Sequence, residues 1–231
     1  RRVLFRSVRV LSGLTYLPGE ILSASLGEQR WRVQRTLTEL IYDSSQMSSL
    51  RWNLKEMRRT AWHLKERLSA DTWRVLQQME NLFSSIPPTG VEARVAAGMD
   101  LLDSVIFSLS AFSGLLMENT TRGFGWRFLE IGRRLERALQ SAELLRASFA
   151  SAPENLESVL QVLLQIADSS ITYRSRYPLS LQADLVLEAL LKDETNPRSV
   201  GFQLASLNHQ VGRIQNLNSD RKSTRLNSSH V

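Results

Sequence analysis

The chain has 231 residues, of which 42% are hydrophobic and 23% are charged, a composition typical of a folded globular chain rather than a disordered one. It contains no cysteine, which excludes a disulfide framework and thiolate metal sites. The net charge is +6, but the excess lies in the first nine and last twelve residues, whereas residues 10–219 carry 22 basic and 22 acidic side chains, so the charge pattern predicts no nucleic-acid partner.

The two ends of the chain do not look like parts of the fold. Residues 220–231 lack helical periodicity and resemble a translated adaptor sequence, and residues 1–9 are similar in kind. We therefore expect a truncated or non-native start over 1–9, a helical domain over 10–219 and a non-native, disordered tail over 220–231.

No stretch of the sequence indicates a membrane span. The longest weakly polar run, 105–116, has 12 residues, against the roughly 20 that a bilayer requires. No apolar leader with a small-residue cleavage site stands at the front of the sequence. The sequence thus predicts a cytoplasmic protein with no membrane partner.

Apolar residues recur at helical spacing through the first half of the chain. Between 8 and 26 the pattern is mixed, with Pro18, Gly19 and Gly27 as breakers and room for one short helix. Ser69 is placed to cap the third of the helices that follow, because its hydroxyl can accept from the free amides of the first turn. The predicted helices span 31–42, 48–67, 70–83 and, after the break at 87–90, a long segment to about 119.

The most informative helix is predicted over 125–150. Its predicted core face, at i, i+3, i+4 and i+7 spacing, contains Phe128, Ile131, Leu135, Ala138, Leu139, Ala142, Leu145 and Phe149. The other side carries Trp126, Glu130, Arg133 and Arg137, with Leu129 and Glu136 on the flank. Trp and Leu side chains are favoured in contacts rather than on an open surface. We therefore expect this helix to be contacted on more than one side, with its charged groups in a partly buried interface.

Three further helices are predicted in the second half of the chain. Pro153 is suited to the first position of a helix that runs toward Tyr173, and Pro178 should end or kink it because its ring nitrogen cannot donate a hydrogen bond. Asn196 is placed to cap the last helix. The remaining helices span 181–192 and 197–217, and no stretch alternates like a strand, so the sequence predicts an all-α fold.

An internal repeat is visible at an offset of 150 residues. Residues 37–54 align with 187–204 without a gap, and in both segments a helix is followed by a polar turn and a second helix. The matched pairs include Asp43 with Asp193, Ser49 with Ser199, Trp52 with Phe202 and Leu54 with Leu204. We therefore predict a multi-helix bundle with a pseudo-repeat of helical hairpins, in which the counterpart of the central helix would precede the first residue of the sequence.

Four motifs occur in order along the chain: LSADTW at 68–73, GWRFLEIGRRLERALQSAELL at 125–145, TYRSRYP at 172–178 and DETNPRSVGFQL at 193–204. Together they resemble the Alpha-E family, a bacterial helical domain named for a Glu-Arg pair and usually found as a tandem duplication. The resemblance covers about 10–217 and places the Glu-Arg pair on Glu136 and Arg137. The family's N-terminal copy of the motif, W-x-x-R-Y-x-E-R-A, is absent. The chain therefore resembles a truncated member, most similar to members fused behind a circularly permuted ATP-grasp domain.

The resemblance implies a role in peptide or amide-bond synthesis or modification. The partners that it implies are a circularly permuted ATP-grasp protein or domain and a transglutaminase-like protein. Our first hypothesis is a non-catalytic helical accessory or scaffold domain of such a system, with no cofactor of its own. The second hypothesis is an enzyme, or a domain that binds a small anionic ligand, using the region of Glu136 and Arg137.

The charged groups of the central helix form the candidate site. Glu130 can reach Arg133 and Arg134 at i, i+3 and i, i+4 spacing, either as a structural ion-pair network or as part of a site for a carboxylate or phosphate. Glu136 is the candidate catalytic residue. The candidate ligand or partner contacts on this helix are Trp126, Glu130, Arg133, Glu136 and Arg137.

A second group of candidates, Tyr173, Arg174 and Tyr177, lies at a predicted helix end, where Arg side chains offset the helix dipole. These residues either end the helix and pack their rings, or form an anion site shared with Arg133 or Arg137. Convergence of the two groups on a closed polar pocket would favour the enzyme, and placement on an open face would favour the accessory domain. The histidines predict no metal site, because His63, His209 and His230 are isolated.

Overall fold

The computed structural model describes residues 26–47, 49–85, 87–150, 156–178 and 181–228. Over these residues the chain forms nine α-helices and no strand, which confirms the all-α fold class. The start over 1–9 and the short helix considered before Gly27 fall almost entirely outside the described residues.

The chain divides into two compact units that meet in sequence between Thr121 and Arg122. The helices of the first unit are α1 (Leu26–Tyr42), α2 (Leu50–Trp62), α3 (Ala70–Asn81) and α4 (Val91–Asn119). Those of the second are α5 (Phe124–Ala150), α6 (Leu156–Ile166), α7 (Ser170–Arg176), α8 (Ala183–Leu187), continued by a π-helical turn Glu188–Lys192, and α9 (Val200–Ser228).

The first unit follows the sequence prediction, with two corrections. Helix α1 begins at Leu26 rather than at 31, so Gly27, predicted as a breaker, lies inside it. The Ser69 hydroxyl accepts a hydrogen bond from the Thr72 amide at 3.2 Å and caps α3 as predicted. The helix predicted over 48–67, however, ends at Trp62. The amide of His63 bonds the carbonyl three residues back rather than four, and a single 3₁₀ turn, Lys65–Arg67, follows. Leu64, which follows the end of α2, is exposed.

Helix α4 is the single helix in the described part of the chain that is long and apolar enough to cross a membrane by length and composition. The apolar segment of α4 therefore extends beyond the 12-residue run at 105–116 on which the sequence prediction was based. One such helix is weak evidence for a membrane span. Val105 of α4 is buried in the core of the first unit, but only 17% of the 18-residue apolar window is buried, which is less than a core helix of a soluble protein shows. The cytoplasmic location and the lack of a membrane partner stay predictions.

In the second unit, the helix predicted to run toward Tyr173 is broken in two. Helix α6 ends at Ile166, and Asp168 adopts the left-handed conformation, with a φ of 48°. The Ser169 amide bonds the carbonyl of Leu164 at 2.9 Å, and the Asp168 amide bonds that of Gln165 at 3.1 Å. This is a Schellman ending in which Asp takes the position usually held by Gly. The predicted start at Pro153 lies outside the described residues.

The last helix differs from its prediction at both ends. It begins at Val200, where the Ser199 hydroxyl accepts from the Phe202 amide at 2.9 Å, so the predicted cap at Asn196 is wrong. The side-chain amide of Asn196 instead donates to the Ala189 carbonyl at 2.9 Å. The backbone stays helical past the predicted end at 217, as far as Ser228, because no Pro or Gly interrupts 213–228. The first nine residues of the segment expected to be disordered are thus helical, and whether that segment is native stays a prediction.

The turn between α1 and α2 has a specific set of hydrogen bonds. Asp43 accepts from the Ser45 amide at 2.8 Å and from its hydroxyl at 2.7 Å. The Ser49 hydroxyl donates to the Asp43 carbonyl and accepts from the Trp52 amide at 3.1 Å. The side chain of Asn53 reaches the carbonyl six residues before it, at 3.2 Å.

The turn before α9 has the same bonds. Asp193 accepts from the Thr195 amide at 2.8 Å and from its hydroxyl at 2.7 Å. The Ser199 hydroxyl donates to the Asp193 carbonyl, and the Gln203 side chain again reaches the carbonyl six residues before it. Each bond is displaced by the 150 residues of the sequence repeat, which supports the pseudo-repeat, although a duplication stays a prediction.

Candidate functional site

Helix α5 is rotated about its axis relative to the sequence prediction. Ala138 and Leu145 of the predicted core face are buried, but Phe128, Leu135 and Leu139 are 61%, 46% and 58% exposed. Ala142 of the same predicted face is exposed as well, so the assignment of these four residues to the core is wrong. Leu129, on the neighbouring flank, is also exposed. We call Phe128, Leu129, Leu135 and Leu139 the apolar stripe.

The buried side of α5 is charged near its N-terminal half. Glu130, placed by the prediction on the far side from the core, is only 2% exposed and accepts hydrogen bonds from Arg133 Nη1 at 2.6 Å and Arg134 Nη2 at 3.0 Å. Arg134 also donates to Gln203 Oε1 on α9 at 3.3 Å, and its guanidinium lies 5.5 Å from the centre of the Phe202 ring. The rotation follows from this network, because a buried carboxylate is tolerated only where several donors compensate for its lost hydration.

Arg127 belongs to the same buried side and was missed by the sequence prediction. It is 8% exposed, and its Nη1 donates to Gln210 Oε1 on α9 at 3.1 Å. Among the described residues, neither its Nε nor the neighbouring Trp126 Nε1 has a hydrogen-bond acceptor. The guanidinium of Arg122 lies 4.4 Å from the centre of the Trp126 ring. A signal was present in the sequence, since Arg127, Glu130 and Arg134 are spaced at i, i+3 and i+7 like a core face.

Glu136 and Arg137, the predicted Glu-Arg pair, lie at the surface of α5. Glu136 accepts one hydrogen bond, from Gln140 Nε2 at 3.2 Å. Partial burial lowers the pKa of Arg137, and three nearby guanidinium groups lower it further, those of Arg133, Arg198 and Arg134. Arg137 thus faces an electropositive neighbourhood, on a different side of the helix from Glu136.

Of the three candidates at the end of α7, the two tyrosines pack together and Arg174 lies apart from them. Tyr173 is buried in the apolar core of the second unit, and its hydroxyl accepts from the Gln182 amide at 3.2 Å. Its ring packs against that of Tyr177 at a centroid distance of 5.2 Å, whereas Arg174 is exposed. This placement matches helix termination with aromatic packing. The described contacts do not bring these residues together with Glu136, and the roles of all the candidates stay predictions.

A cavity of about 290 Å³ lies between α5 and α9, open to solvent on one side. Polar groups and one aromatic ring line it: Arg134, Glu194, Phe202, Ser206, His209 and Gln210. In the sequence His209 stands isolated, and the other α9 residues of this lining are not among the predicted site residues. No group of three or more metal-binding side chains occurs in the described part of the chain, and the prediction that the protein needs no cofactor stays open.

These observations define the class of protein: it is an all-α chain whose central helix carries Glu-Arg pairs, one of them buried. The model of the Alpha-E family, described as a predicted alpha-helical domain with a conserved ER motif, matches residues 7–230. The chain therefore belongs to the Alpha-E family. The matched range includes residues 7–9 of the expected non-native start and 220–230 of the expected non-native tail.

Two curated proteins similar to the chain are named as uncharacterized proteins. The chain is 28% identical over 207 residues to the uncharacterized protein Rv2567 of Mycobacterium tuberculosis, and equally to the uncharacterized protein Mb2597 of Mycobacterium bovis. These alignments cover 84% of the chain but 23% of each relative. The chain thus spans about a quarter of the length of these relatives. No solved structure matches it significantly.

Proposed function

We propose that the chain is a non-catalytic helical accessory domain that docks a circularly permuted ATP-grasp ligase, within a system of peptide or amide-bond synthesis or modification. A transglutaminase-like protein is the further partner of the same system. These partner classes come from the family resemblance. The observation that carries the docking role is the apolar stripe of α5.

The apolar stripe has the properties of an interface. Phe128, Leu135 and Leu139 recur at i, i+7 and i+11, so they form one line along about three turns of the helix. Each is about half exposed or more. Fully burying a Leu or Phe side chain stabilises an association by about 1.5 to 3 kcal/mol. A contiguous line of such side chains on one helix marks a protein contact more often than scattered exposed ones do.

The position of the predicted Glu-Arg pair supports docking rather than catalysis. Glu136 lies beside the apolar stripe on the exposed side of α5, where a carboxylate can pair with a basic group at the rim of an interface. Arg137 and Arg174 are exposed, and Tyr173 is enclosed in the core. The convergence on a closed polar pocket that the enzyme hypothesis required is not found among the described residues.

Substituting the stripe should abolish docking. We expect the double variant Leu135→Glu and Leu139→Glu to raise the Kd for the cognate ATP-grasp protein by at least about thirtyfold, because two anchors of the interface become charged. The measurement is isothermal titration calorimetry with an ATP-grasp protein encoded beside an Alpha-E gene. Both positions are exposed, so the variant should fold like the parent chain.

The matched control is Ile171→Glu, at an apolar side chain of the same unit that is 85% exposed and lies outside the stripe. It should leave the Kd within about twofold, as expected for a surface position away from an interface. Equal loss in both variants would show that the stripe is not the docking surface. Lack of binding to any ATP-grasp or transglutaminase-like protein would reject the partner class. A Glu136→Gln variant that keeps the complex but loses ligation would support the enzyme instead.

A further inference from the structure

We propose that the cavity between α5 and α9 binds the carboxylate group of a small monoanionic ligand with an apolar body. The cavity lies on a different face of α5 from the apolar stripe, so this site is separate from the proposed docking surface. Its volume of about 290 Å³ is near the lower end of small-molecule pockets.

The cavity presents hydrogen-bond donors. Arg127 donates a hydrogen bond to the side-chain oxygen of Gln210 at 3.1 Å. The side-chain amide nitrogen of Gln210 is therefore the group that remains available to a ligand. Arg134 uses two of its N–H groups, one to Glu130 and one to Gln203, out of the five that a guanidinium carries. The Ser206 hydroxyl and the His209 imidazole are on the same wall.

A buried guanidinium next to the cavity has no counter-charge among the described contacts. Arg134, which lines the cavity, is paired with Glu130. Arg127, buried behind Gln210, forms no ion pair in the described part of the chain, and its Nε has no acceptor there. Because a buried guanidinium without a counter-charge is destabilising, a ligand carboxylate in the cavity would offset a cost that the fold now carries.

The lining also selects the kind of anion. Glu194 lies at the cavity without forming an ion pair with Arg134 among the described contacts, and its carboxylate would repel a second negative charge. A monocarboxylate is therefore favoured over a phosphate dianion. The Phe202 ring forms an apolar wall, which suits an aliphatic or aromatic body next to the carboxylate.

Binding is tested on the full chain with 3-phenylpropanoate, 3-phenylpropanamide and inorganic phosphate, followed in ¹H–¹⁵N spectra. We expect 3-phenylpropanoate to saturate a site with a Kd of about 1 mM or tighter and to shift the Gln210 side-chain amide, with the neutral amide at least about tenfold weaker. An N-acetylated tripeptide ending in phenylalanine separates two sources of the carboxylate. If the tripeptide binds more tightly than 3-phenylpropanoate, the natural ligand is the C-terminus of a peptide. If it does not, the natural ligand is a small metabolite.

The variant Glu130→Gln with Arg134→Gln replaces the guanidinium that lines the cavity and its buried carboxylate partner by neutral amides, and it should weaken 3-phenylpropanoate at least about tenfold. Phe202→Leu, which keeps an apolar side chain, should weaken it severalfold and serves if the double variant does not fold. Arg137→Gln, an arginine of α5 outside the cavity lining, should bind like the parent. Equal binding of the acid and its amide, preference for phosphate, or no saturable site would each overturn the proposal.

Discussion

Replacing Glu130 by alanine is expected to lower the free energy of unfolding by about 3 to 5 kcal/mol. The substitution leaves Arg133 and Arg134 without the carboxylate that both of them contact, and it opens a space in the interface between α5 and α9. It also frees the guanidinium that holds Gln203, a buried residue of α9. The measurement is urea unfolding followed by far-ultraviolet circular dichroism, with the midpoint and slope fitted together.

The control for this prediction is Glu136→Ala, on the same helix and of the same chemistry. Because Glu136 is exposed and accepts one hydrogen bond from Gln140, its removal should change the free energy of unfolding by no more than about 0.5 kcal/mol. A loss of similar size in the two variants would show that the buried carboxylate of α5 is not Glu130.

The second large effect is expected at Gly201, in the first turn of α9. A Cβ placed there would lie 2.6 Å from the carbonyl oxygen of Lys192 and 3.2 Å from that of Leu191. These atoms are backbone and cannot rotate away, so Gly201→Ala must push α9 off the π-helical turn that precedes it. We expect a destabilisation of about 2 to 3 kcal/mol, measured by the same urea unfolding.

Gly212→Ala provides a control of opposite sign within the same helix. A Cβ at Gly212 meets no atom within 4 Å, so the alanine should gain only helix propensity, about 0.5 to 1 kcal/mol of stabilisation. If Gly201→Ala were neutral or stabilising like Gly212→Ala, the close approach of the α9 start to Lys192 would be wrong.

Local signals in the sequence were sufficient for most helix positions. Ser69 caps α3 as predicted, since its hydroxyl and the first turn of the helix are adjacent in the chain. The cap of α9 was assigned to Asn196 although Ser199 was available. Within the repeat, Ser199 matches Ser49, which caps α2 in the same way, whereas Asn196 matches Gln46, a poor capping residue. The repeat itself therefore held the information that would have corrected the assignment.

The orientation of α5 depended on partners far away in sequence. Apolar periodicity assigned Leu135 and Leu139 to the core, because such patterns assume that apolar side chains face inward. The structure buries Glu130 and Arg134 instead, and the group that completes this arrangement is Gln203, 69 residues after Arg134. No local pattern on α5 identifies that partner. The candidate site consequently moved from Glu136 and Arg137 to the α5 face that contacts α9.

The rotation of α5 underlies both the docking surface and the proposed cavity site, and single-cysteine labelling tests it most directly. The chain has no cysteine, so Ala138→Cys and Leu139→Cys would each carry a single thiol at neighbouring positions of the helix. With Ala138 6% and Leu139 58% exposed, the thiol at 139 should react with a maleimide as fast as in the unfolded chain. The thiol at 138 should react roughly a hundredfold more slowly, since it must wait for local opening. Fast labelling at 138 with protection at 139, or equal protection at both, would contradict the account.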